Sequence, residues 1–460
     1  MVYFAPSRSL SELSQASSDP QSCLVLLYID NPLFFRKNLD PRENSGFQNK
    51  GFSPYVIFLK KHIKSMIVLN LSRFKSVIYL EMIMSETKKQ APRRKFLQKA
   101  AVGGAGAAAL SFPMISQSQS TQTLRFQSTW PAKDIFHEYA LDFSKKVNDM
   151  TGGELKIEVL PAGAVVPAFG LLDAVSKGTL DGGHGVVVYH YGKNPALALW
   201  GSGPSFGMDA NMLLSWHKYG GGKELLEELY KTVGANVKSY VYGPMPSQPL
   251  GWFKKPITKV EDMKGLKYRT VGISIDMFTA MGVSVNALPG GEIIPAMDRG
   301  LLDAAEFNNA SSDRLLGFPD VAKVCMLQSF HQNAEQFEIL FNGAVYNGMA
   351  PKLRSILDYA VEASSADMSW KAVDRYSKDY SEMQTKQNVK FYKTPDSILR
   401  NQLKVFDEVV AKKSAENPLF KKIVDSQRVF AQRAVKWDLD TNTTRRMAYD
   451  HYFGAAAKKA

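Results

Sequence analysis

Arg269 ends the strand-like run Gly265-Leu266-Lys267-Tyr268-Arg269 and is followed by Thr270-Val271-Gly272. A short strand there would deliver a guanidinium to the carboxyl end of a sheet, where open α/β sheets hold their ligands. A carboxylate taken out of water needs a matched cation, and a guanidinium offers it a planar pair of donors that an ammonium cannot. Glu306 follows the small and apolar run from Leu301 to Ala305, and an acid in that place is either a solvated strand end or a ligand for a cation. Neither group keeps the company that turnover requires. No His-Glu-x-x-His or cluster of Cys and His occurs, so no metal-ligand spacing is visible; one Gly-x-Ser-x-Gly does occur, Gly203 to Gly207, a short pattern that by itself supplies no base. The chain is expected to bind rather than to catalyse; an exported hydrolase or lyase is the alternative from another class.

The elements that must position these residues alternate short β-type runs with helical ones, which predicts α/β layers. Leu124 to Gln127 and Leu155 to Leu160 read as strands. Between them Phe136, Tyr139, Ala140, Phe143 and Val147 recur at helical spacing up to the stop at Thr151-Gly152-Gly153. Leu171 to Lys177 reads as a helix, and Val237 to Tyr242 as a strand that Gly243-Pro244-Met245-Pro246-Ser247 interrupts, which marks a crossing between lobes. A second α/β rhythm follows through Leu250-Gly251-Trp252-Phe253, Leu266 to Arg269, helices near Ser274 to Met281 and Ile293 to Arg299, and Asp303 to Phe307. Phe337 to Phe341 returns to the first lobe. From Pro351 nearly everything is helical and amphipathic up to about Phe453, with no chemistry of its own.

Composition narrows the class. The chain carries 57 Lys and Arg against 44 Asp and Glu, but 16 of the basic residues and only 7 of the acidic ones precede Gln117. What remains is a thin surplus along the whole length, so no nucleic-acid partner is expected. Cys325, in the apolar run Val321 to Leu327, reads as a packed small hydrophobe.

Pro92-Arg93-Arg94-Lys95-Phe96-Leu97, then a weakly apolar Gly/Ala stretch from Ala100 to Leu110, resembles a twin-arginine signal peptide. The apolar stretch is too short to span a membrane. Such a signal works at an N-terminus, so Met82 or Met84 is the expected start and residues 1–81 read as translated upstream sequence. The expected division is therefore 1–81 upstream; 82–120 signal; 121–247 first lobe; 248–332 second lobe; 333–390 return to the first lobe and hinge; 391–460 C-terminal helices.

Taken in order, Lys177-Gly178-Thr179-Leu180-Asp181, Pro204-Ser205-Phe206-Gly207-Met208, Gly251-Trp252-Phe253, Met263 to Arg269, Leu288-Pro289-Gly290-Gly291-Glu292-Ile293-Ile294-Pro295-Ala296 and Gly300 to Glu306 are similar to the solute receptors of tripartite ATP-independent periplasmic (TRAP) transporters. Within the dicarboxylate-receptor superfamily they lie nearest the branch that binds 2-oxoacids. The resemblance implies an α/β, two-lobed periplasmic-binding-protein-like fold with hinge strands and a long helical C-terminal extension. It also implies a periplasmic location, a small carboxylate such as pyruvate or lactate, delivery to TRAP membrane subunits, and a homodimer built through C-terminal helices. A sugar acid, aromatic acid or polyol is the alternative cargo.

The resemblance assigns roles as well. Arg269 grips the substrate carboxylate; Glu306, the main-chain carbonyl of Phe307 and Gln248 hold a cation, Na⁺ or Ca²⁺, with Gln248 also touching substrate. No other cofactor is required. Gln332 stands where the family places an acid, with Glu335 nearby, and an amide there removes a negative charge from the ion. Tyr189 and His190 fall where the branch has aromatic residues on the pocket floor, and Asn308 is the remaining substrate contact, although Asn308-Asn309 departs from the family's usual continuation.

Overall fold

The computed structural model describes residues 121–454. The expected upstream segment, 1–81, and the signal, 82–120, lie outside the described residues. Two sheets organise the rest. The first contains β1 (Gln122–Ser128), β2 (Leu155–Leu160), β3 (Gly182–Gly185), β4 (Val237–Met245) and β10 (Glu335–Asn342), in the order β2-β1-β3-β10-β4. The second contains β5 (Gly251–Phe253), β6 (Lys267–Arg269), β7 (Ser284–Asn286), β8 (Ala304–Ala305), β9 (Val324–Leu327) and β11 (Lys390–Lys393), in the order β11-β9-β5-β8-β6-β7.

Local sequence explains the start of the first lobe. Leu124 and Phe126 alternate inward on β1, and β2 pairs parallel to it after one helix, α1 (Ile135–Met150). Asp134 caps that helix by accepting from the Phe136 amide (3.1 Å), and Ile135, Phe136, Tyr139, Phe143 and Val147 form its buried stripe. β10 returns antiparallel between β3 and β4 and is buried along its whole length. Helices α2 (Leu171–Ser176), α3 (Ala210–Tyr219) and α4 (Gly222–Thr232) cover this sheet; α5 (Ser274–Ala280), α6 (Gly290–Asp298), α7 (Ala310–Leu316) and α8 (Phe318–Val321) cover the other.

Two expectations are corrected here. β4 does not stop at Tyr242 but runs through Gly243 and Pro244 to Met245, with a bulge opposite Gln336 and Phe337. β4 is an edge strand, where a proline leaves no ladder bond unmade, so Gly243 and Pro244 mark the bulge and the crossing begins at Pro246. The helical C-terminal segment contains a strand, β11, paired parallel to β9 through Phe391 and Cys325. Its four residues are too short to show a period in the sequence.

Chain crosses between the sheets at 246–250, at 328–334 and again after α10, with α9 (Gly343–Gly348) and α10 (Pro351–Thr385) leading to the last crossing. α10 packs on α1 and β4 of the first lobe and on α7 of the second. Of the following helices, α11 (Asp396–Glu416) packs on α5 in the second lobe, whereas α12 (Pro418–Thr441) packs on α3 and α4 in the first. The final helix, α13 (Arg445–Phe453), buries no residue.

Candidate functional site

Arg269 is the last residue of β6, held between β7 and β8 by pairing with Asn286 and Ala305. That register places its side chain at the carboxyl end of the strand, at the boundary between the lobes. The guanidinium is 1% exposed. Its Nε donates to the Leu288 carbonyl (2.8 Å), and Nη1 donates to the Glu306 carbonyl (3.1 Å) and to Glu306 Oε1 (2.9 Å). The ring of Phe307 lies 5.4 Å from the guanidinium carbon. Nη2 has no acceptor in good hydrogen-bond geometry, although the Tyr189 hydroxyl lies close to the guanidinium.

Glu306 follows β8 directly and is fully buried; its second oxygen, Oε2, has no donor in good hydrogen-bond geometry, with the Thr270 hydroxyl nearby. Gln248 and Gln332 come from the two crossings. Their backbones are joined by the bond from the Gln248 amide to the Gln332 carbonyl (3.1 Å), and each leaves its side-chain Oε1 without a partner. Glu335, the first residue of β10, accepts from Gln248 Nε2 (2.8 Å) and Asn308 Nδ2 (3.4 Å) through Oε2. Gly201 makes room for it, since a Cβ there would sit 2.9 Å from Glu335 Cγ.

Gln248, Arg269, Phe307, Asn308, Gln332 and Glu335, with Trp130, Phe136, Val186, Tyr189, Met245 and Val271, close around a cavity of about 10 Å³, room for about one water, and Glu306 stands behind Arg269 outside that lining. Two carboxylates therefore share one guanidinium in a dry site. Burial pushes Glu306 up to about 7, partly offset by Arg269; burial and the neighbouring charge of Glu306 push Glu335 up to about 8. Burial opposes the charge of Arg269, yet Glu306 and Tyr189 hold its pKa above the ordinary value. Buried polar atoms are normally paired. Here one donor and three acceptors are not: those of Arg269, Gln248 and Gln332 belong to residues lining the cavity, and that of Glu306 to the residue paired with Arg269. The arrangement can take an anion at Arg269 and a positive ion at the oxygens.

Of the residues singled out by sequence, Arg269, Glu306, Phe307, Gln248, Gln332, Asn308 and Tyr189 are brought together. His190 is not. It ends a short 3₁₀ turn (Val187–His190), its Nε2 faces Glu338 Oε2 (3.1 Å) on β10, and it lines a wider cavity beside this one. Successive residues of a 3₁₀ turn point about 120° apart, so Tyr189 faces the cavity while His190 turns to the sheet. Two important members had gone unread or half-read. Trp130 follows the end of β1, and the strand-end rule that located Arg269 applies equally to it. Its Nε1 donates to His184 Nδ1 (2.8 Å), which fixes the indole against Phe136, Phe337 and Tyr189. Glu335 was visible only as a neighbour of Gln332; an acid opening an otherwise apolar buried strand was the signal.

Comparison with known proteins gives this geometry its context. Residues 126–417 match the model of the family described as bacterial extracellular solute-binding protein, family 7. The chain belongs to that family. A monocarboxylate 2-oxoacid-binding periplasmic protein of Nostoc sp. is 29% identical over 368 residues, 78% of this chain and 98% of the relative. Among solved structures, a TRAP transporter solute-binding protein from Bordetella bronchiseptica, a mixed-occupancy dimer with copurified calcium and picolinate in its active site, matches with TM-score 0.68. It is 28% identical and covers 74% of this chain and 99% of its own. A TRAP periplasmic solute-binding protein from Pseudoalteromonas atlantica, with bound sodium and pyruvate, matches with TM-score 0.67, 27% identity and coverage of 73% and 100%. The protein is thus a TRAP-type solute receptor of extracytoplasmic location, in a family of binding proteins rather than enzymes.

Proposed function

We propose that this receptor captures a small 2-oxo or 2-hydroxy monocarboxylate such as pyruvate or lactate, together with Na⁺ or Ca²⁺, and presents it to TRAP membrane subunits. The observation that carries this reading is the unpaired Nη2 of Arg269 opposite the unpaired oxygens of Gln248, Glu306 and Gln332. In this reading Arg269 releases part of its pairing with Glu306 and takes the substrate carboxylate in two parallel bonds. Gln248, Glu306, Gln332 and the Phe307 carbonyl hold the ion. An oxygen-only donor set suits hard cations, and no cluster of three or more His, Cys, Asp and Glu competes for a metal among the described residues. The ion supplies positive charge that balances the second carboxylate. Tyr189 packs the carbon skeleton and Asn308 bonds the oxo or hydroxy oxygen.

The same reading makes the two sheets, residues 121–247 with 333–342 and residues 248–332, the bodies that move about the crossings. It also assigns export to the twin-arginine signal at Arg93-Arg94. A second copy of the chain covers α13, which leaves Met447, Tyr449, Tyr452 and Phe453 exposed. Light scattering that returned the mass of one chain would remove the dimer.

A thermal-shift screen tests the central assignment. A ligand that binds only the folded protein raises its melting temperature. Pyruvate with Ca²⁺ or Na⁺ should raise it, and EDTA should diminish the shift seen with Ca²⁺. No shift with any 2-oxo or 2-hydroxy acid would overturn the reading.

A further inference from the structure

The helical C-terminal segment does chemistry at the cleft. Beside the inner cavity, and sharing Tyr189 and Val271 with it, lies a wider one of about 400 Å³ whose walls are Phe169 and Tyr191 from the first lobe and Gly272 and Ile275 from the second. The shared residues Tyr189 and Val271 stand between this space and Arg269.

At the rim of that space three residues from three separate parts of the chain meet. Tyr191, just after the turn that carries Tyr189, donates its hydroxyl hydrogen to Asp276 Oδ2 (2.6 Å) on α5 of the second lobe. Lys413 on α11 donates to the Tyr191 hydroxyl oxygen (2.9 Å) and pairs with Asp276 Oδ1 (3.0 Å), its Nζ 5.2 Å from the centre of the tyrosine ring. The lysine side chain is only 13% exposed, so these bonds are made with little competition from water. Close by, Gly272 adopts φ +65°, and a Cβ there would meet Ser202 Oγ at 2.2 Å and Val188 at 2.3 Å. The lobes touch at this edge with no room for a side chain.

We propose that Tyr191, Asp276 and Lys413 form a clasp that holds the lobes closed over the ligand and sets its rate of escape, with α11 contributing the lysine. α11 rides on the second lobe and α12 on the first, joined at Asn417, whose Nδ2 donates to Asn194 Oδ1 (3.1 Å). The hairpin thereby straps the cleft. Lys413 acts as a positioning residue: it fixes the Tyr191 hydroxyl on Asp276 and touches no ligand. Opposite, Ser312 donates to Asp134 Oδ1 (2.7 Å) and Lys133 to the Leu316 carbonyl (3.1 Å), closing the other edge.

The proposal rests on Arg269 marking the ligand site, and the test separates the two. Stopped-flow tryptophan fluorescence follows pyruvate binding, in the presence of Ca²⁺, to the full-length protein, and small-angle scattering follows lobe opening without ligand. Tyr191→Phe, which removes one oxygen, and Lys413→Met should each speed dissociation about tenfold, the weight of a hydrogen bond to a charged group, with association within about twofold of the parent. The radius of gyration without ligand should increase. The double variant should lose less than the product of the two, and Lys413→Arg should restore slow release. Unchanged dissociation and scattering in Tyr191→Phe would overturn the clasp, whether or not Lys413→Met folds. If pyruvate leaves the parent's fluorescence unchanged, the ligand assignment fails, while the scattering comparison still decides the clasp.

Discussion

Two buried acidic clusters, one inside the first lobe and one at the boundary between the lobes, are finished differently. Glu338 on β10 is completely satisfied: Oε1 accepts from Tyr230 (2.5 Å) and Ser239 (2.5 Å), and Oε2 faces His190 Nε2 (3.1 Å). Arg269, Glu306, Glu335, Gln248 and Gln332 are equally buried, yet they leave one nitrogen and three oxygens unpaired. A buried charge with a full set of partners serves the fold. One with partners missing, in a family of solute receptors, keeps places for something that arrives from solvent.

That contrast can be broken by exchanging the consequences of mutation. Arg269→Ala should weaken pyruvate binding a hundredfold or more by calorimetry, while the melting temperature without ligand changes little. The carboxylates left behind already lean toward protonation and can neutralise themselves. Glu338→Ala should do the reverse, lowering stability by about 3 kcal/mol in urea titration because His190, Tyr230 and Ser239 lose their acceptor. Pyruvate affinity of the folded fraction should stay within about threefold of the parent. Equal loss of binding in both variants would erase the distinction.

Glu306→Gln sharpens the comparison within the site. Affinity for pyruvate should fall about tenfold in Ca²⁺ and be nearly unchanged in EDTA, since only the ion needs the carboxylate charge. A smaller effect is expected from pH. Glu306 and Glu335 are raised in the folded chain to about 7 and about 8, so the stability they contribute is complete below their unfolded pKa and is lost as pH rises through 7 and 8. An ion that binds the ionised pair makes up that loss. The rise in melting temperature given by Ca²⁺ should therefore be larger at pH 8 than at pH 6. A rise independent of pH would place the ion elsewhere.

Much of this was legible in the chain because β6 and β8 end in their functional residues. Arg269, Glu306 and Phe307 follow short apolar runs whose direction the sequence gives, and a strand end fixes where the next side chain goes. Residues whose placement depends on tertiary partners were harder. Tyr189 and His190 are adjacent, and only the position of Glu338, 148 residues after His190, decides which of them turns to the sheet. Pro244 suggested a break, but an edge strand with a bulge accommodates it. Lys413 carried no local signal, because on an amphipathic helix a lysine that meets Tyr191 and Asp276 is indistinguishable from its solvated neighbours until the lobes are assembled.

The most direct test of the account is a crystal structure grown with pyruvate and Ca²⁺. A carboxylate on the Arg269 guanidinium and an ion held by oxygens of Gln248, Glu306 and Gln332 are expected. A bound acid away from Arg269, with the guanidinium still fully engaged by Glu306, would contradict it.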